Sequence, residues 1–356
     1  MKHGGNIFSD ARKLKINKSK IIDASASLVP YCPNKLLLEI FISEIFNQNF
    51  KHYPDRDHYL LKKTIAEFHK LEDINQILPG NGAAELFTWA ANYACQLGSS
   101  CLPSPGFNDY ARALDCWGGK YFYQPLPLKD FSNSAQNFPI QSKADVIWIT
   151  NPHNPTGHLW TKQSLINLLN NHKLVICDEA FLPIVPGGED HSLIPLIENN
   201  KNLLVIRSLT KLFGIPGLRI GYAIGDPNIL NKLTSIRDPW PLNNFAISAG
   251  IGLIHNRKEY YLWTNKIHNW VNIEKPLLID KMSSIKNLEV FDSSANYFLI
   301  KSKNSLTNMI NILYEKRILI RSCQSFNSLN SNWARISLQN KDNNQIIFNS
   351  ISDILK

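Results

Sequence analysis

The sequence lacks the features that mark membrane, secreted and zinc-binding proteins. Its apolar runs, such as Val146–Ile149 and Leu203–Ile206, are far shorter than the ~20 residues that span a bilayer. Residues 1–6 contain no apolar core of the kind that a secretory signal needs. The six cysteines include no Cys-x-x-Cys pair, so we expect neither a disulfide framework nor a metal site. These absences predict a cytoplasmic protein.

The sequence also lacks a long block of basic residues, although its net charge is +9. No basic stripe is interleaved with aromatic residues, so we expect no nucleic-acid partner, and the short apolar runs predict no membrane partner. We interpret most of the charge as lysines scattered over helix faces. Two or three arginines remain as candidates for attracting an anionic ligand into a cleft.

Helical and strand-like segments alternate through most of the chain. Four short, nearly continuous apolar runs are typical of strands buried on both faces: Val146–Thr150, Leu174–Cys177, Leu203–Arg207 and Ile220–Ile224. Apolar residues recur at helical spacing in three other segments: Tyr59–His69, Ala84–Leu97 and Lys162–Asn170. This alternation predicts an α/β sandwich with a largely parallel sheet.

The pattern changes after Pro239-Trp240-Pro241. A long helical region, about Phe245–Ile279, precedes a mixture of strand-like and helical segments: Tyr297–Ile300, Leu306–Lys316, Ile318–Arg321 and Trp333–Leu338. We therefore predict three parts. Residues 1–35 form an irregular arm that joins the small domain, residues 36–244 form a large domain, and residues 245–356 form a small α+β domain.

A lysine and an arginine follow one of the predicted strands. Lys211 ends the segment Ser208-Leu209-Thr210-Lys211, directly after the run Leu203–Ile206, and Arg219 follows eight residues later. A lysine that forms an imine must be partly deprotonated and held rigidly, which suits a strand-end loop flanked by hydroxyls. Arg219 and Ser208 could bind a phosphate. The alternative is a surface lysine and a salt-bridged arginine.

Polar side chains also follow two further strands. Asp178 ends the run Leu174–Cys177, where its carboxylate could pair with a protonated pyridine nitrogen. Asn154 lies in Asn151-Pro152-His153-Asn154-Pro155-Thr156-Gly157, after Val146–Thr150, where it could bond a phenolic oxygen. A helix cap and simple turn chemistry are the alternatives for these two segments. Because an open α/β sheet binds its ligands at strand ends, the three segments together predict one cofactor site.

These motifs, preceded by Gly80-Asn81-Gly82-Ala83-Ala84-Glu85, resemble the class I/II aminotransferase superfamily of pyridoxal-phosphate (PLP) enzymes. The resemblance extends over nearly the whole chain. It implies fold type I, with a large domain whose mostly parallel central sheet is sandwiched by helices and a smaller α+β C-terminal domain. It also implies PLP as the cofactor.

The resemblance assigns roles by matching position. Lys211 would be the Schiff-base lysine, Asp178 the partner of the pyridine nitrogen, and Asn154 the partner of the phenolic oxygen. Phe107, in Pro105-Gly106-Phe107, would stack on the cofactor ring. The cofactor phosphate would be held by a separate group of residues: Ala83, Ala84, Ser208, Arg219 and, from a neighbouring subunit, Tyr53. The last of these implies a homodimer with shared active sites.

Substrate contacts follow from the same comparison. Arg335, in Trp333-Ala334-Arg335-Ile336-Ser337, would grip the substrate α-carboxylate, and Asn154 would also contact the substrate. Arg321 suits a substrate phosphate, and His3 is expected to add a further contact to it. The expected substrate is thus a small phosphorylated amino acid.

Within the superfamily the chain most resembles the L-threonine O-3-phosphate decarboxylases of cobalamin synthesis. His3-Gly4-Gly5-Asn6 is similar to their N-terminal motif, although a disordered terminus is the alternative. Phe181 stands where aminotransferases usually have a tyrosine. The expected reaction is therefore PLP-dependent decarboxylation of L-threonine O-3-phosphate to (R)-1-aminopropan-2-yl phosphate. A histidinol-phosphate type of aminotransferase is the alternative.

One segment departs from the decarboxylase pattern. Asp23–Pro30 is similar to the expected Asp-Phe-Ser-Ala-Asn-Ile-Asn-Pro but has Ala24, Ser27 and Val29 at three of its positions. O-phosphoserine or another small phosphorylated amino acid therefore remains open as substrate. A non-catalytic PLP-binding regulator is a further alternative, but such proteins carry an added DNA-binding segment, for which we expect no room here.

Overall fold

A computed structural model describes residues 4–355. The helices in this range are α1 (Ile7–Leu14), α2 (Asn34–Phe46), α3 (Tyr59–His69), α4 (Gly82–Leu97), α5 (Asp109–Asp115), α6 (Lys162–Asn171), α7 (Leu209–Phe213), α8 (Pro227–Thr234), α9 (Asn244–His255), α10 (Arg257–Ser283), α11 (Thr307–Glu315) and α12 (Lys341–Leu355). Short 3-10 helices lie between them. In the described range, no helix combines the length and apolarity needed to cross a membrane.

The strands form one large sheet, one smaller sheet and a two-stranded pair. In chain order they are β1 (Ile22–Ala24), β2 (Ile77–Gly80), β3 (Ser100–Ser104), β4 (Tyr121–Pro125), β5 (Ala135–Gln136), β6 (Val146–Thr150), β7 (Leu159–Trp160), β8 (Leu174–Asp178), β9 (Leu203–Ser208), β10 (Gly221–Gly225), β11 (Leu288–Val290), β12 (Tyr297–Ser302), β13 (Ile318–Ser322) and β14 (Trp333–Ser337).

The large sheet has seven strands in the order β2-β10-β9-β8-β6-β3-β4. Its pairs are parallel except those that β10 makes with β2 and β9. Every residue of β6, β8 and β9 is buried, and neighbouring residues belong to different apolar clusters on the two faces. For example, Ile147 lies in one cluster and Trp148 in the other. The predicted α/β fold with a largely parallel sheet is confirmed.

The smaller sheet has five strands in the order β1-β13-β14-β12-β11. Strand β1, from the start of the chain, pairs in parallel with β13. The prediction that residues 1–35 are irregular is wrong, because α1 and β1 lie there. Helix α1 is held by tertiary packing of Ala11 near Leu319, a contact that the local sequence does not reveal. The division of the chain at residues 35 and 244 stays a prediction, which the two separate sheets support.

The predicted helical region Phe245–Ile279 consists of two helices, α9 and α10. They meet at Asn256, whose side chain accepts a hydrogen bond from the backbone N–H of Glu259 (3.2 Å). This is an N-cap contact, and it ends one helical path and begins another. Because apolar residues continue at helical spacing through this junction, the sequence pattern did not reveal that the helix is broken at Asn256.

Candidate active site

The carboxyl ends of β6, β8 and β9 open into a cleft of about 420 Å³. Because these strands are parallel, the residues that follow them emerge at the same edge of the sheet. Ten of the predicted site residues line this cleft: Ala83, Ala84, Phe107, Asn154, Asp178, Ser208, Lys211, Arg219, Arg321 and Arg335. Two arginines of the small sheet thus line the same cleft as Lys211, which follows β9 of the large sheet.

Lys211 lies in the short helix α7 and not in a loop as expected. Ser208 caps this helix, its Oγ accepting a hydrogen bond from the N–H of Thr210 (3.3 Å). The Lys211 Nζ lies 5.0 Å from the ring centroid of Phe181. Burial, together with the positive charges of Arg335 and Arg219, lowers the pKa of Lys211 to about 8, although Asp178 acts in the opposite direction. More of the amine is therefore neutral near pH 7 than in an ordinary lysine, although most of it is still protonated there.

The lowered pKa of Lys211 predicts how the cofactor-free protein captures PLP. Only the neutral amine attacks a carbonyl, so the rate should rise with pH and level off above a midpoint of about 8. Arg335→Ala removes a positive neighbour, so the midpoint should move up towards the ordinary lysine value. Stopped-flow absorbance measures this, with Lys316→Ala as a control that removes an exposed charge outside the cleft. An identical midpoint in wild type and Arg335→Ala would contradict the assigned cause.

Asp178 is a buried carboxylate of the cleft, and it has two hydrogen-bond donors. Tyr110 donates to Oδ2 (2.6 Å) and the N–H of Ala180 donates to Oδ1 (2.9 Å). Thr150 bonds the same Tyr110 oxygen (2.8 Å). Burial raises the pKa of Asp178 to about 6, while the bond from Tyr110 favours the ionised form. Tyr110 and Thr150 are not among the predicted site residues, since no motif marks them.

Tyr110→Phe should impair Asp178 at low pH. Loss of a donor to the carboxylate raises the pKa of Asp178 above its value of about 6, so less of it is ionised there. A hydrogen bond to a charged group contributes about 1.5–3 kcal/mol, so turnover at pH 6 should fall by about tenfold or more. The loss at pH 8 should be smaller. A pH–rate profile that keeps its acid limb in place would argue against this role.

Asn154 and Arg335 meet across the two sheets. Arg335 donates through Nη1 to Asn154 Oδ1 (2.6 Å) and through Nη2 to the carbonyl oxygen of Ser25 (3.0 Å). Its guanidinium also lies 4.9 Å from the ring centroid of Tyr297. Since Asn154 Oδ1 is engaged, the group that Asn154 can offer to a ligand is its amide NH₂.

Arg321 and Arg335 occupy opposite positions on the antiparallel strands β13 and β14. Arg321 donates to Ser325 Oγ (2.7 Å) and lies 5.5 Å from the ring centroid of Phe326. Burial and the neighbouring charge of Arg335 lower the pKa of Arg321 to about 10. Two like charges are thus held side by side in the cleft, an arrangement that anionic ligands stabilise.

The first turn of α4 forms a cradle beside Arg219. Gly82 has a φ of +72°, and a Cβ there would lie 2.5 Å from Arg219 Nη2, so any side chain would displace the guanidinium. The N–H groups of Ala83 and Ala84 point out of the helix start, where partners within the helix are lacking. Arg219 also reaches the Asn81 carbonyl oxygen (3.4 Å). These donors suit a phosphate.

The segment around Ser25 forms another wall of the cleft, to which Gly4, Ser25, Ala26 and Ser27 contribute. The N–H of Gly5 donates to Ser25 Oγ (3.1 Å), and Ser27 Oγ bonds Ser337 Oγ (2.8 Å). Ser27, which stands where the decarboxylase pattern has asparagine, therefore lies in the cleft itself. His3 lies outside the described residues, so its predicted contact stays a prediction.

Tyr53 does not line the cleft of its own chain. Its side chain is 79% exposed and stacks on Trp240, with ring centroids 4.5 Å apart. Its predicted contact with the phosphate of a neighbouring subunit stays a prediction, since it concerns a second copy of the chain.

The cleft residues fit PLP. The α4 cradle, with Ser208 and Arg219, suits a phosphate, Lys211 an aldehyde carbon, and Asp178 a protonated ring nitrogen. Two buried polar atoms of the cleft, Thr210 Oγ1 and Arg335 Nε, have no hydrogen-bond partner among the described residues. Because buried polar groups are normally bonded, these two are left for a ligand.

The chain belongs to a family of PLP-dependent enzymes. The model of the family "Aminotransferase class I and II" matches residues 37–351. Members of this family use PLP, and the fold is that of fold type I PLP enzymes. A crystal structure of the histidinol-phosphate aminotransferase from Clostridium acetobutylicum superimposes with a TM-score of 0.84 at 25% identity, covering 94% of this chain and 99% of that one.

Two relatives in sequence are threonine-phosphate decarboxylases by name. The enzyme from Salmonella typhimurium is 28% identical over 99% of this chain and 96% of its own length. A protein of Caldanaerobacter subterraneus subsp. tengcongensis, whose own assignment to this activity is provisional, is 32% identical over 98% of this chain and 92% of its own length.

Proposed function

We propose that this protein is a PLP-dependent decarboxylase that converts L-threonine O-3-phosphate to (R)-1-aminopropan-2-yl phosphate in cobalamin biosynthesis. The observation that carries the proposal is the pair Arg321 and Arg335, which project from opposite positions of two strands into the cleft of Lys211. A substrate with a carboxylate at one end and a phosphate at the other needs two separate cationic anchors. A cytoplasmic location accords with this role.

Several cleft residues have a task in such a reaction. PLP, when bound, supplies an electron sink for the bond that breaks at the substrate α-carbon. Asp178 holds the ring nitrogen protonated, and Ser208, Arg219 and the start of α4 hold the cofactor phosphate. Arg335 fixes the substrate carboxylate and so decides which bond at the α-carbon is aligned for cleavage. After carbon dioxide leaves, Lys211 is the group that can deliver a proton to that carbon.

Decarboxylation is favoured over transamination by two observations. Two of its relatives in sequence are threonine-phosphate decarboxylases by name, although histidinol-phosphate aminotransferases are also among its relatives. Phe181 packs edge-on against Tyr297, with ring centroids 5.2 Å apart, and offers no hydroxyl where aminotransferases usually have one. The similarity to the Clostridium acetobutylicum structure favours the alternative, an aminotransferase of the histidinol-phosphate type.

Product analysis separates the two reactions. Purified holoenzyme is incubated with L-threonine O-3-phosphate, with and without a 2-oxo acid. We expect carbon dioxide and 1-aminopropan-2-yl phosphate in equal amounts, at a rate that the 2-oxo acid does not change. Turnover that requires the 2-oxo acid and releases no carbon dioxide would establish transamination instead. O-phosphoserine tested in parallel shows whether the cleft, with Ser27 in its wall, accepts the shorter side chain.

We also propose a homodimer in which Tyr53 of one subunit contacts the cofactor phosphate of the other. A row of exposed apolar side chains follows one face of α2 towards Tyr53: Leu38, Ile42, Ile45, Phe46 and Phe50. An exposed apolar patch of this kind is typical of an association surface. A second copy of the chain would cover it by a symmetric contact.

If the active site is shared between subunits, a substitution that disrupts the dimer should also weaken PLP binding. Ile42→Glu combined with Phe46→Glu should give monomers in analytical ultracentrifugation and raise the PLP dissociation constant by about tenfold or more. Tyr261→Glu, at an exposed apolar position on α10, is the control and should leave both unchanged. A wild-type monomer that binds PLP tightly and turns over fully would refute the shared site.

A further inference from the structure

A buried ion pair lies beside the cleft without lining it. Arg207 Nη2 and Glu179 Oε2 are 2.7 Å apart, and their side chains are 2% and 0% exposed. Neither residue lines the cleft, and the proposed reaction uses neither. Burying two charges is costly unless both are fully paired, so such a pair calls for a functional explanation.

Glu179 is anchored from three directions besides Arg207. The N–H of Leu193 donates to its Oε1 (2.8 Å) and Ser192 Oγ donates to its Oε2 (2.9 Å). Its own N–H donates to the carbonyl oxygen of Ile206 on β9 (2.9 Å). The residue is therefore fixed at the point where β8 ends and the chain leaves the sheet.

Arg207 is anchored to the same loop region. Its two terminal nitrogens donate to the carboxylate of Glu189 (2.7 and 2.9 Å), and Nη2 also donates to Ser192 Oγ (2.9 Å). Glu189 differs from Glu179 in its exposure and in its position, and both differences make it a useful control. Its side chain is 50% exposed, and it lies in a 3-10 helix away from the strand ends.

Both members of the ion pair are neighbours in sequence of cleft residues. Glu179 stands between Asp178 and Ala180, and Arg207 directly precedes Ser208, which caps the helix of Lys211. Successive strand residues point to opposite faces of a sheet. The ion pair therefore ties the end of β8 to the end of β9, where the adjacent residues Asp178 and Ser208 line the cleft.

We propose that Glu179 and Arg207 are positioning residues that set the spacing between the Asp178 carboxylate and the Lys211 amine. Asp178 must meet the ring nitrogen of PLP while Lys211 meets its aldehyde carbon, two atoms at a fixed separation in one rigid molecule. A small displacement of either backbone segment spoils both contacts at once. This inference rests on the proposed cofactor site and adds the reason why the site is rigid.

Glu179→Gln and Glu189→Gln make a matched pair of variants. Each removes one carboxylate from the same arginine with little change in shape. Holoenzymes are compared by thermal unfolding, by the pH midpoint of the visible absorbance of bound PLP, and by PLP titration of the cofactor-depleted protein. We expect Glu179→Gln to raise the PLP dissociation constant by about tenfold or more and to shift the pH midpoint. Glu189→Gln should lower the unfolding temperature but leave both cofactor readouts within about twofold of wild type.

The proposal is overturned if Glu179→Gln lowers stability but leaves the dissociation constant and the pH midpoint of wild type. Equal changes of both readouts in the two glutamine variants would also overturn it. If Glu179→Gln does not fold, Arg207→Lys keeps the buried charge but loses the forked contacts, and the same loss of PLP affinity is expected. A wild-type protein that develops no visible PLP absorbance would refute the proposed cofactor site and is thus distinguishable.

Discussion

Replacing Lys211 by alanine is expected to abolish the covalent capture of PLP and to lower kcat by about 10³-fold or more. Among the described residues that line the cleft, Lys211 is the only lysine. Its lowered pKa of about 8 makes the amine available, and no other described residue that lines the cleft carries a side-chain amine. Absorbance of the purified variant with added PLP, together with turnover of L-threonine O-3-phosphate, measures both losses.

Lys275 provides a demanding control for this experiment. Burial lowers its pKa to about 8 as well, so it resembles Lys211 in reactivity. It lies on α10 outside the cleft, and its amine donates to the carbonyl oxygen of Ser293. Lys275→Met should keep the visible absorbance of bound PLP. An active Lys211→Ala enzyme, or loss of the absorbance only in Lys275→Met, would mean that the cofactor lysine has been wrongly assigned.

Arg321→Ala is expected to remove recognition of the substrate phosphate. Leaving a desolvated phosphate without its cationic partner costs about 2–4 kcal/mol, which corresponds to an increase in KM of about 30- to 1,000-fold. The effect should be confined to the phosphorylated substrate. Steady-state kinetics with L-threonine O-3-phosphate and with threonine measure the selectivity directly.

The two arginines should respond differently. Arg335→Ala should lower kcat as well as raise KM, because the carboxylate contact decides which bond at the α-carbon is aligned. Lys316→Ala, which removes an exposed charge outside the cleft, should behave as wild type. If Arg321→Ala discriminates between the two substrates as well as wild type does, the phosphate is bound elsewhere. The decarboxylase proposal would then lose its main support.

The parts of the fold that could be predicted are those encoded by local sequence. Strand β6 and helix α3 have the predicted bounds, because buried strands and amphipathic helices leave periodic apolar patterns over a few residues. The cleft position of Asp178 and Lys211 followed from the rule that parallel strands end at one edge. Local apolar patterns and one topological rule were therefore sufficient to predict these elements and the position of these two residues.

The remainder depends on contacts between distant parts of the chain. Tyr110 reaches Asp178 across 68 residues and Ser27 reaches Ser337 across 310, and neither contact leaves a periodic trace. Helix α1 is short and is held by packing near Leu319, which explains why the first 35 residues looked irregular. Isolated helices of this length are marginal in water, so tertiary packing decides whether they form.

The central claim is that Lys211 carries PLP in this cleft, and borohydride reduction of the holoenzyme tests it most directly. Reduction makes the bond between lysine and cofactor permanent, and peptide mapping by mass spectrometry then identifies the modified residue. We predict a single phosphopyridoxyl group in the peptide that contains Lys211, with Lys275 unmodified. Modification of another lysine while Lys211 remains free, or no stable modification of a protein that turns over substrate, would contradict the account.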